Sequence, residues 1–478
     1  MNKYICNILS IMWLIFISFF SVLKYSPENI HSDIILNTIM SIQNITLFYW
    51  EQNRLINLLP FLVSFIHDPK INIYAVLFLS SISFFSVIYL LSYVAYNLNC
   101  SERRCKNSSI LILFISSSIF STILISNEYL PSFIIGHIEH SLSIFMLGVA
   151  FILLTQFKLK FRLNVSLGLL LIILSLGLNP SIIIPIFFLI FSYSIYQKRI
   201  SKANFITLIF CLVVFAVWSV VSSQYEGNSY NTFVFFDFRE SMKKAFWNIT
   251  GILNVANVFI VIFIYAVFNI ILKFSNKENE KGSSENIFVI NFILVFISLW
   301  IFIFSSNQWV QLNAFNVRYF TFVIFSFIFI FILFISNKLK LSLFLSIVMF
   351  MVSLYSEPFK ILPIRKYNVF QKVENIVGDK SYEFYAGDYW LVWPSVLREL
   401  MTGREAYGIT VRGEANRENI KNHIREHYSN REFTIFCLDQ KTDACMNYIQ
   451  NVLGDFNVLD VKKNVNGTFI IKLTLSDS

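Results

Sequence analysis

The sequence predicts a polytopic α-helical membrane protein of about eleven transmembrane helices with a small C-terminal α/β domain. Three observations carry that reading. Of 478 residues, 56% are hydrophobic and 14% are charged, whereas soluble domains carry about 25% charged residues. The apolar excess is gathered into recurring runs between Ile5 and Tyr355, and a spanning helix needs roughly 20 such residues. After Tyr355 the runs stop, and short alternating strand and helix patterns take over. A soluble chain this apolar could not cover its own core. Lipid tails accept apolar side chains on the outside of a fold.

The runs lie near 5–23, 73–98, 110–126, 138–155, 165–178, 181–196, 205–222, 252–272, 287–305, 319–336 and 342–355. The fifth, sixth and eleventh are short, which fits little tilt, extension into polar flanks or a re-entrant path. The first run lacks a small-residue cleavage site and is followed directly by Lys24 and Tyr25, so it is expected to be a retained helix rather than a removable signal. With the N-terminus placed inside, the inside loops hold fifteen Lys and Arg and the short outside loops seven. Basic loops stay cytoplasmic, so the C-terminal domain is expected outside. The net charge of +9 then follows largely from loops that face an anionic leaflet, and no nucleic-acid partner is expected.

Residues 1–356 are read as the membrane domain and 357–478 as the outside domain. Within the first outside segment, 24–72, Ile34, Leu36, Ile39, Met40 and Ile42 recur at helical spacing, as do Leu55, Leu58, Leu59 and Leu62. Two amphipathic helices along the membrane surface are expected there, with similar behaviour at 234–250. In the C-terminal domain the strand candidates are Tyr382–Tyr385, Ala406–Val411, Phe433–Leu438, Phe456–Val461 and Thr468–Leu473. Helix candidates are 366–377, 390–402, 415–428 and 442–453, an alternation that predicts a small α/β domain. No GxGxxG or P-loop occurs, so nucleotide binding is not indicated. Cys6, Cys100, Cys105 and Cys211 fall inside or within the membrane, and Cys437 and Cys445 fall outside. An oxidising compartment allows the last pair to bridge, with two free thiols the equal alternative. No Cys/His spacing suggests zinc.

Polar groups cluster at the outer surface rather than at mid-membrane depth, so chemistry is expected on the outer face. The first outside loop carries Glu28, His31, Asp33 and Glu51. A carboxylate held near apolar surface can take a proton from a hydroxyl; solvated loop charge is the plain alternative. Cationic groups at the same surface include Lys24, Arg54, His137, His140, Arg239 and Arg318. Arg318, in Asn316-Val317-Arg318-Tyr319-Phe320 at the mouth of the tenth helix, can grip a phosphate through paired hydrogen bonds or simply snorkel to the interface. His137 and His140 flank Glu139 at the start of the fourth helix, where interfacial capping would also account for them. The run Gly387-Asp388-Tyr389-Trp390-Leu391-Val392-Trp393-Pro394 offers rings that stack on sugars or dock the domain onto the bilayer or bundle.

The layout of many helices, an acidic first outside loop, surface helices and a C-terminal outside domain resembles the GT-C class of glycosyltransferases. More narrowly, Ile45-Thr46-Leu47-Phe48-Tyr49-Trp50-Glu51-Gln52-Asn53-Arg54-Leu55 and the run 387–394 are similar to segments of the phage-type serotype-converting glucosyltransferases of enteric bacteria. The likeness spans most of the chain in architecture and rests on these short segments in sequence. It implies transfer of glucose from undecaprenyl-phosphate-glucose to the O-antigen of lipopolysaccharide, on the periplasmic face of the inner membrane. It also implies a flippase for the lipid-linked sugar and a second transferase that charges the lipid.

A donor of this kind needs a base for the acceptor hydroxyl and cations for the leaving phosphate. Asp33 is expected as base, with Glu28 the competing choice, and Glu51 would orient the sugar or the base. Arg318, with Arg54, His137 or His140, would hold the donor phosphate. Asp388, Tyr389, Trp390 and Trp393 would border the acceptor. The scheme needs no cofactor, and an acidic pair holding a divalent metal ion is its variant. A transporter or flippase of a lipid-linked saccharide is the rival, for which Asn179-Pro180 and Pro185 are the helix-breaking signals. An O-antigen polymerase is the third reading. Sugar, acceptor residue and linkage are not written in the residues.

Overall fold

The computed structural model describes residues 3–50, 52–99, 107–125, 128–155, 161–196, 202–223, 238–252, 283–336, 343–344, 347, 362–410, 414–428, 431–439, 441–464 and 466–475. Its helical part contains α1 (Lys3–Asn29), α2 (Ser32–Gln43), α3 (Leu58–Val63), α4 (Pro69–Asn99), α5 (Asn107–Leu124), α6 (Ile138–Thr155), α7 (Phe161–Leu178), α8 (Ile183–Tyr196), α9 (Lys202–Ser223), α10 (Phe238–Ile252), α11 (Ser283–Ser305), α12 (Gln308–Leu312) and α13 (Thr321–Ser336). The apolar runs 252–272 and 342–355 lie wholly or largely outside the described residues.

Among the described residues, four helices are long and apolar enough to cross a bilayer: Tyr4–Asn29, Pro69–Leu98, Phe205–Ser223 and Val317–Ser336. Five shorter apolar helices accompany them. Only 11% of the most apolar window of α9 is buried, and Phe205, Ile206, Ile209, Val213, Val217 and Val220 stand exposed along it. Water penalises such a face and lipid accepts it. These are the surfaces of a membrane protein. Helix α4 is the pillar of the bundle and packs on α1, α2, α5, α6 and α13.

The first loop departs from expectation. Helix α2 forms, but Ile34, Ile35, Leu36, Ile39 and Met40 are all buried, and the helix is a wedge rather than a surface float. Ser41 donates to the Asn72 side chain at 3.1 Å, and Asn72 donates in turn to the carbonyls of Val63 (3.1 Å) and Ile66 (2.8 Å). The expected second helix is shortened to α3, which holds Leu58, Leu59 and Leu62, and Leu55 falls instead in an antiparallel hairpin ahead of it, β1 (Phe48–Tyr49) with β2 (Gln52–Ile56). The side chain of Asn57 donates to the carbonyls of Thr46 (2.9 Å) and Phe48 (2.6 Å) and so closes the hairpin. Helix α10 is amphipathic as its spacing predicts: Ala245 and Ile249 are buried while Lys243, Phe246 and Trp247 face outward.

The C-terminal part opens with α14 (Asn368–Val377), then runs β3 (Phe384–Ala386), α15 (Tyr389–Leu400), β4 (Tyr407–Ile409), α16 (Glu414–Tyr428), β5 (Phe433–Cys437), α17 (Thr442–Leu453), β6 (Phe456–Lys463) and β7 (Phe469–Leu475). The sheet order is β4-β3-β5-β7-β6. Strands β4, β3 and β5 are parallel, and β7 and β6 complete the sheet antiparallel. From β3 the chain crosses to β4 on one side and then returns to β5 on the other. The carboxyl end of β3 is therefore the switch point at which open parallel sheets hold ligands. Gly387 stands at that point with φ +120°, and a Cβ there would meet the backbone nitrogen of Asp439 at 3.0 Å. Only glycine meets both demands.

Cys437, at the end of β5, is bonded to Cys445 in α17, with a Cα–Cα distance of 6.0 Å. The bridge closes a short loop, with a sequence separation of 8. Replacing Cys445 by Ala is expected to lower the stability of this domain by roughly 2.5 kcal/mol on the loop-entropy account. Chemical denaturation followed by the domain's tryptophan fluorescence would register it, and an unchanged midpoint would deny the bridge a stabilising role.

Candidate functional site

Four distant stretches of chain meet at one end of the helical bundle. Asp33 stands in the first turn of α2. Arg318 comes from the 3-10 turn Val317–Phe320 ahead of α13. His137 and Glu139 lie where the π turn Ser132–Gly136 gives way to α6. Tyr389 opens α15 at the carboxyl end of β3. Beside Asp33 and Arg318 is a small open hollow lined by Asp33, Asn37, Tyr49, His137, Glu139 and Arg318, with Ile56, Leu59 and Leu178 as apolar wall.

Asp33 is the most heavily engaged group. Its Oδ1 accepts a 2.5 Å hydrogen bond from the Tyr389 hydroxyl. Its Oδ2 faces Arg318 Nη1 at 3.8 Å and His31 Nδ1 at 3.9 Å. The Tyr49 hydroxyl donates to its backbone carbonyl at 3.1 Å. Burial pushes the His31 imidazole down to about 4, with help from His137 and Arg318 and against the pull of Asp33. His31 is therefore neutral at physiological pH and adds no second charge beside Arg318. Gly136 makes room for it, since a Cβ there would lie 3.2 Å from His31 Nε2.

Arg318 is braced from behind. Its Nη2 donates to the Tyr319 hydroxyl at 3.0 Å, and its backbone amide is capped by Asn316 Oδ1 at 3.2 Å. The preceding residues Ala314 and Phe315 both adopt left-handed φ, 51° and 56°, a costly conformation for residues with a Cβ. Asn248 of α10 holds that turn by donating to both of their carbonyls at 3.1 Å.

Glu139 gathers two imidazoles, with His137 Nδ1 at 3.5 Å and His140 Nε2 at 4.0 Å. The order of protons along this chain is fixed from its far end. Asn179 Oδ1 accepts from the backbone amide (3.2 Å) and hydroxyl (2.6 Å) of Ser181. Its Nδ2 then donates to His140 Nδ1 at 2.9 Å. The remaining nitrogen of His140, Nε2, carries the proton that points to Glu139. Glu139 lines the hollow, so Asn179, the helix-breaking position in the sequence, buttresses it from the second layer.

The expected site residues are divided by the structure. Asp33, Arg318, His137 and Tyr389 come together, and His140 supports them through Glu139. Glu28 lies exposed within the last turn of α1 rather than after the helix, and does not line the hollow. Glu51 and the side chain of Arg54 lie outside the described residues. Asp388 is the N-cap of α15, accepting from the Trp390 amide at 2.7 Å. Trp390 is 55% exposed, edge-on to His31 with ring centres 6.3 Å apart. Trp393 is a correction: it is fully buried, packs on Trp50 at 6.0 Å and borders no channel. It stands on the same face of α15 as Tyr389 but one turn further in, within the stretch 392–397 that is buried all round.

No protein-family model, curated protein or solved structure matches this chain.

The sequence names His31 among the first-loop groups without giving it a role, and it assigns no role to Glu139 or Tyr49. The density of titratable side chains in His137-Ile138-Glu139-His140 was the available signal for Glu139. Tyr49 lies in the segment that carries the family resemblance, but its place at the site depends on the hairpin. Among the described residues, no three His, Cys, Asp or Glu side chains converge as a metal site requires.

Proposed function

We propose that this chain is a membrane glycosyltransferase that moves a hexose, glucose by the family resemblance, from a polyprenyl-phosphate donor to O-antigen. In this reading about eleven helices span the bacterial inner membrane. The N-terminus is cytoplasmic, and the sheet domain and the hollow are periplasmic. The observation that carries the reading is the meeting of Asp33 with Arg318, 3.8 Å apart, in one hollow that also holds His137 and Glu139. A carboxylate beside a cation is what inversion at a sugar–phosphate carbon requires. Asp33 takes the proton of the acceptor hydroxyl. The acceptor oxygen attacks the anomeric carbon, the bond from that carbon to the phosphate oxygen breaks, and the phosphate leaves toward Arg318 and His137. A lipid-linked donor reaches such a hollow from the bilayer without leaving the membrane.

Carriage of a lipid-linked saccharide is the rival. It calls for a site near mid-membrane depth between broken helices, and the polar groups here gather at one end of the bundle instead. The test is expression, with a donor-charging transferase and a flippase, in a host of known O-antigen, followed by sugar and linkage analysis of its lipopolysaccharide. One added hexose per repeat is expected. Unmodified lipopolysaccharide, with the donor made and the protein present in the membrane, would overturn the assignment.

A further inference from the structure

The Tyr389 hydroxyl occupies the place at which a hydroxyl would have to stand to give its proton to Asp33 Oδ1. It is 2.5 Å from that oxygen, and it comes from a part of the chain 356 positions away. The other carboxylate oxygen faces Arg318 and His31. We propose that Tyr389 is a specificity-determining residue that covers the base until an acceptor glycan displaces it, and thereby favours transfer over hydrolysis of the donor. The proposal rests on the transferase reading above.

A sugar linked through phosphate is activated toward any hydroxyl, and water at the open mouth of the hollow is the most abundant competitor. A nucleophile that gives its proton to Oδ1 along the same line must displace the phenol. Water gains there only a hydrogen bond like the one it breaks. An acceptor glycan brings contacts elsewhere, and that remote binding energy can offset the lost phenol hydrogen bond. The geometry suits a removable cover. Tyr389 is the first residue of α15, immediately after the N-cap Asp388. Its ring stands edge-on to Trp390 with centres 5.1 Å apart. The neighbouring Trp390 is exposed beside Tyr389 and His31, where a sugar face could stack on it.

The experiment uses the full chain in nanodiscs with radiolabelled undecaprenyl-phosphate-glucose, comparing wild type with Tyr389→Phe. Glucose release without acceptor and transfer to O-antigen lipopolysaccharide are both measured. Without acceptor, the variant is expected to release glucose at least about tenfold faster, the scale set by one hydrogen bond to a charged group. The ratio of release to transfer at saturating acceptor is expected to rise by a similar factor, with a lower KM for acceptor. Adding Asp33→Asn to Tyr389→Phe should abolish the release, which ties it to the uncovered base. Wild-type transfer without faster release in Tyr389→Phe overturns the cover and leaves the transferase intact. Loss of transfer in Tyr389→Phe also overturns it, making the phenol a positioning group. A wild-type protein that neither transfers nor releases glucose removes both readings.

Discussion

Asp33→Asn is expected to lower glycosyl transfer by about a thousandfold while the protein still inserts and folds, because a positioned general base contributes roughly a hundredfold to ten-thousandfold. Asparagine keeps the shape of the side chain and an oxygen that can accept from the Tyr389 hydroxyl, so the contact between α2 and α15 survives. What disappears is the proton acceptor and the negative partner of Arg318, now 3.8 Å from Asp33 Oδ2. Asp33 also lies in the first turn of α2, where a negative charge at a helix N-terminus is worth about 0.3–1 kcal/mol. The cost to the fold is therefore small beside the cost to catalysis. Initial rates on matched amounts of monodisperse protein decide it. Near-normal turnover would shift the proton to Glu139, which shares the hollow.

Glu399→Ala is expected to be the most damaging single change to the sheet domain, at about 3–5 kcal/mol, the usual cost of breaking a buried ion pair from one side. The carboxylate is fully buried. One oxygen accepts from Tyr385 (2.9 Å) and Arg398 (2.7 Å), and the other accepts from Arg404 (2.7 Å). Burial alone would raise this carboxyl. Together the hydrogen bonds from Arg398, Arg404 and Tyr385 outweigh it and hold the group below the usual carboxylate range. The sign follows: a carboxyl depressed in the folded state stabilises the fold above its unfolded pKa, about 4.3 for Glu. That contribution is lost as pH falls through the lower, folded value. Wild type should therefore lose stability on acidification below about pH 4.3, with Glu399→Gln weaker at neutral pH and flatter through that window. Parallel melting curves of the two proteins from pH 7 to 3 would show it, and identical acid limbs would refute it. Glu399 and Tyr389 sit at opposite ends of α15, so a loosened helix should also weaken the cover on Asp33.

The regular parts of this molecule were legible in the sequence because single periodicities govern them. Apolar runs located the described long helices closely apart from the end of α1, which continues past the run 5–23 to Asn29, and the five strand candidates of the C-terminal domain correspond to β3–β7. The hairpin was not legible. Leu55, Leu58, Leu59 and Leu62 fit a helical repeat as well as a strand followed by one helical turn, and the deciding interaction is the Asn57 side chain reaching back to Thr46 and Phe48. Side-chain closure of that kind leaves no periodic trace. Asp33 and Arg318 could be singled out by charge in an apolar setting, but their partners came from tertiary structure. Trp393 shows the opposite failure: an aromatic run reads alike whether its rings line a channel or fill a core, and Tyr389 and Trp393 share one face of α15, so only depth along the helix separates them.

The pairing of Asp33 with Tyr389 across 356 positions also sets an order of events during synthesis. Helix α2 enters its place long before α15 has been made. Until the β3–α15 unit folds, the acid stands beside Arg318 with no phenol on it. A ribosome stalled after α13 would leave behind a bundle in which Asp33 still lacks its partner from α15.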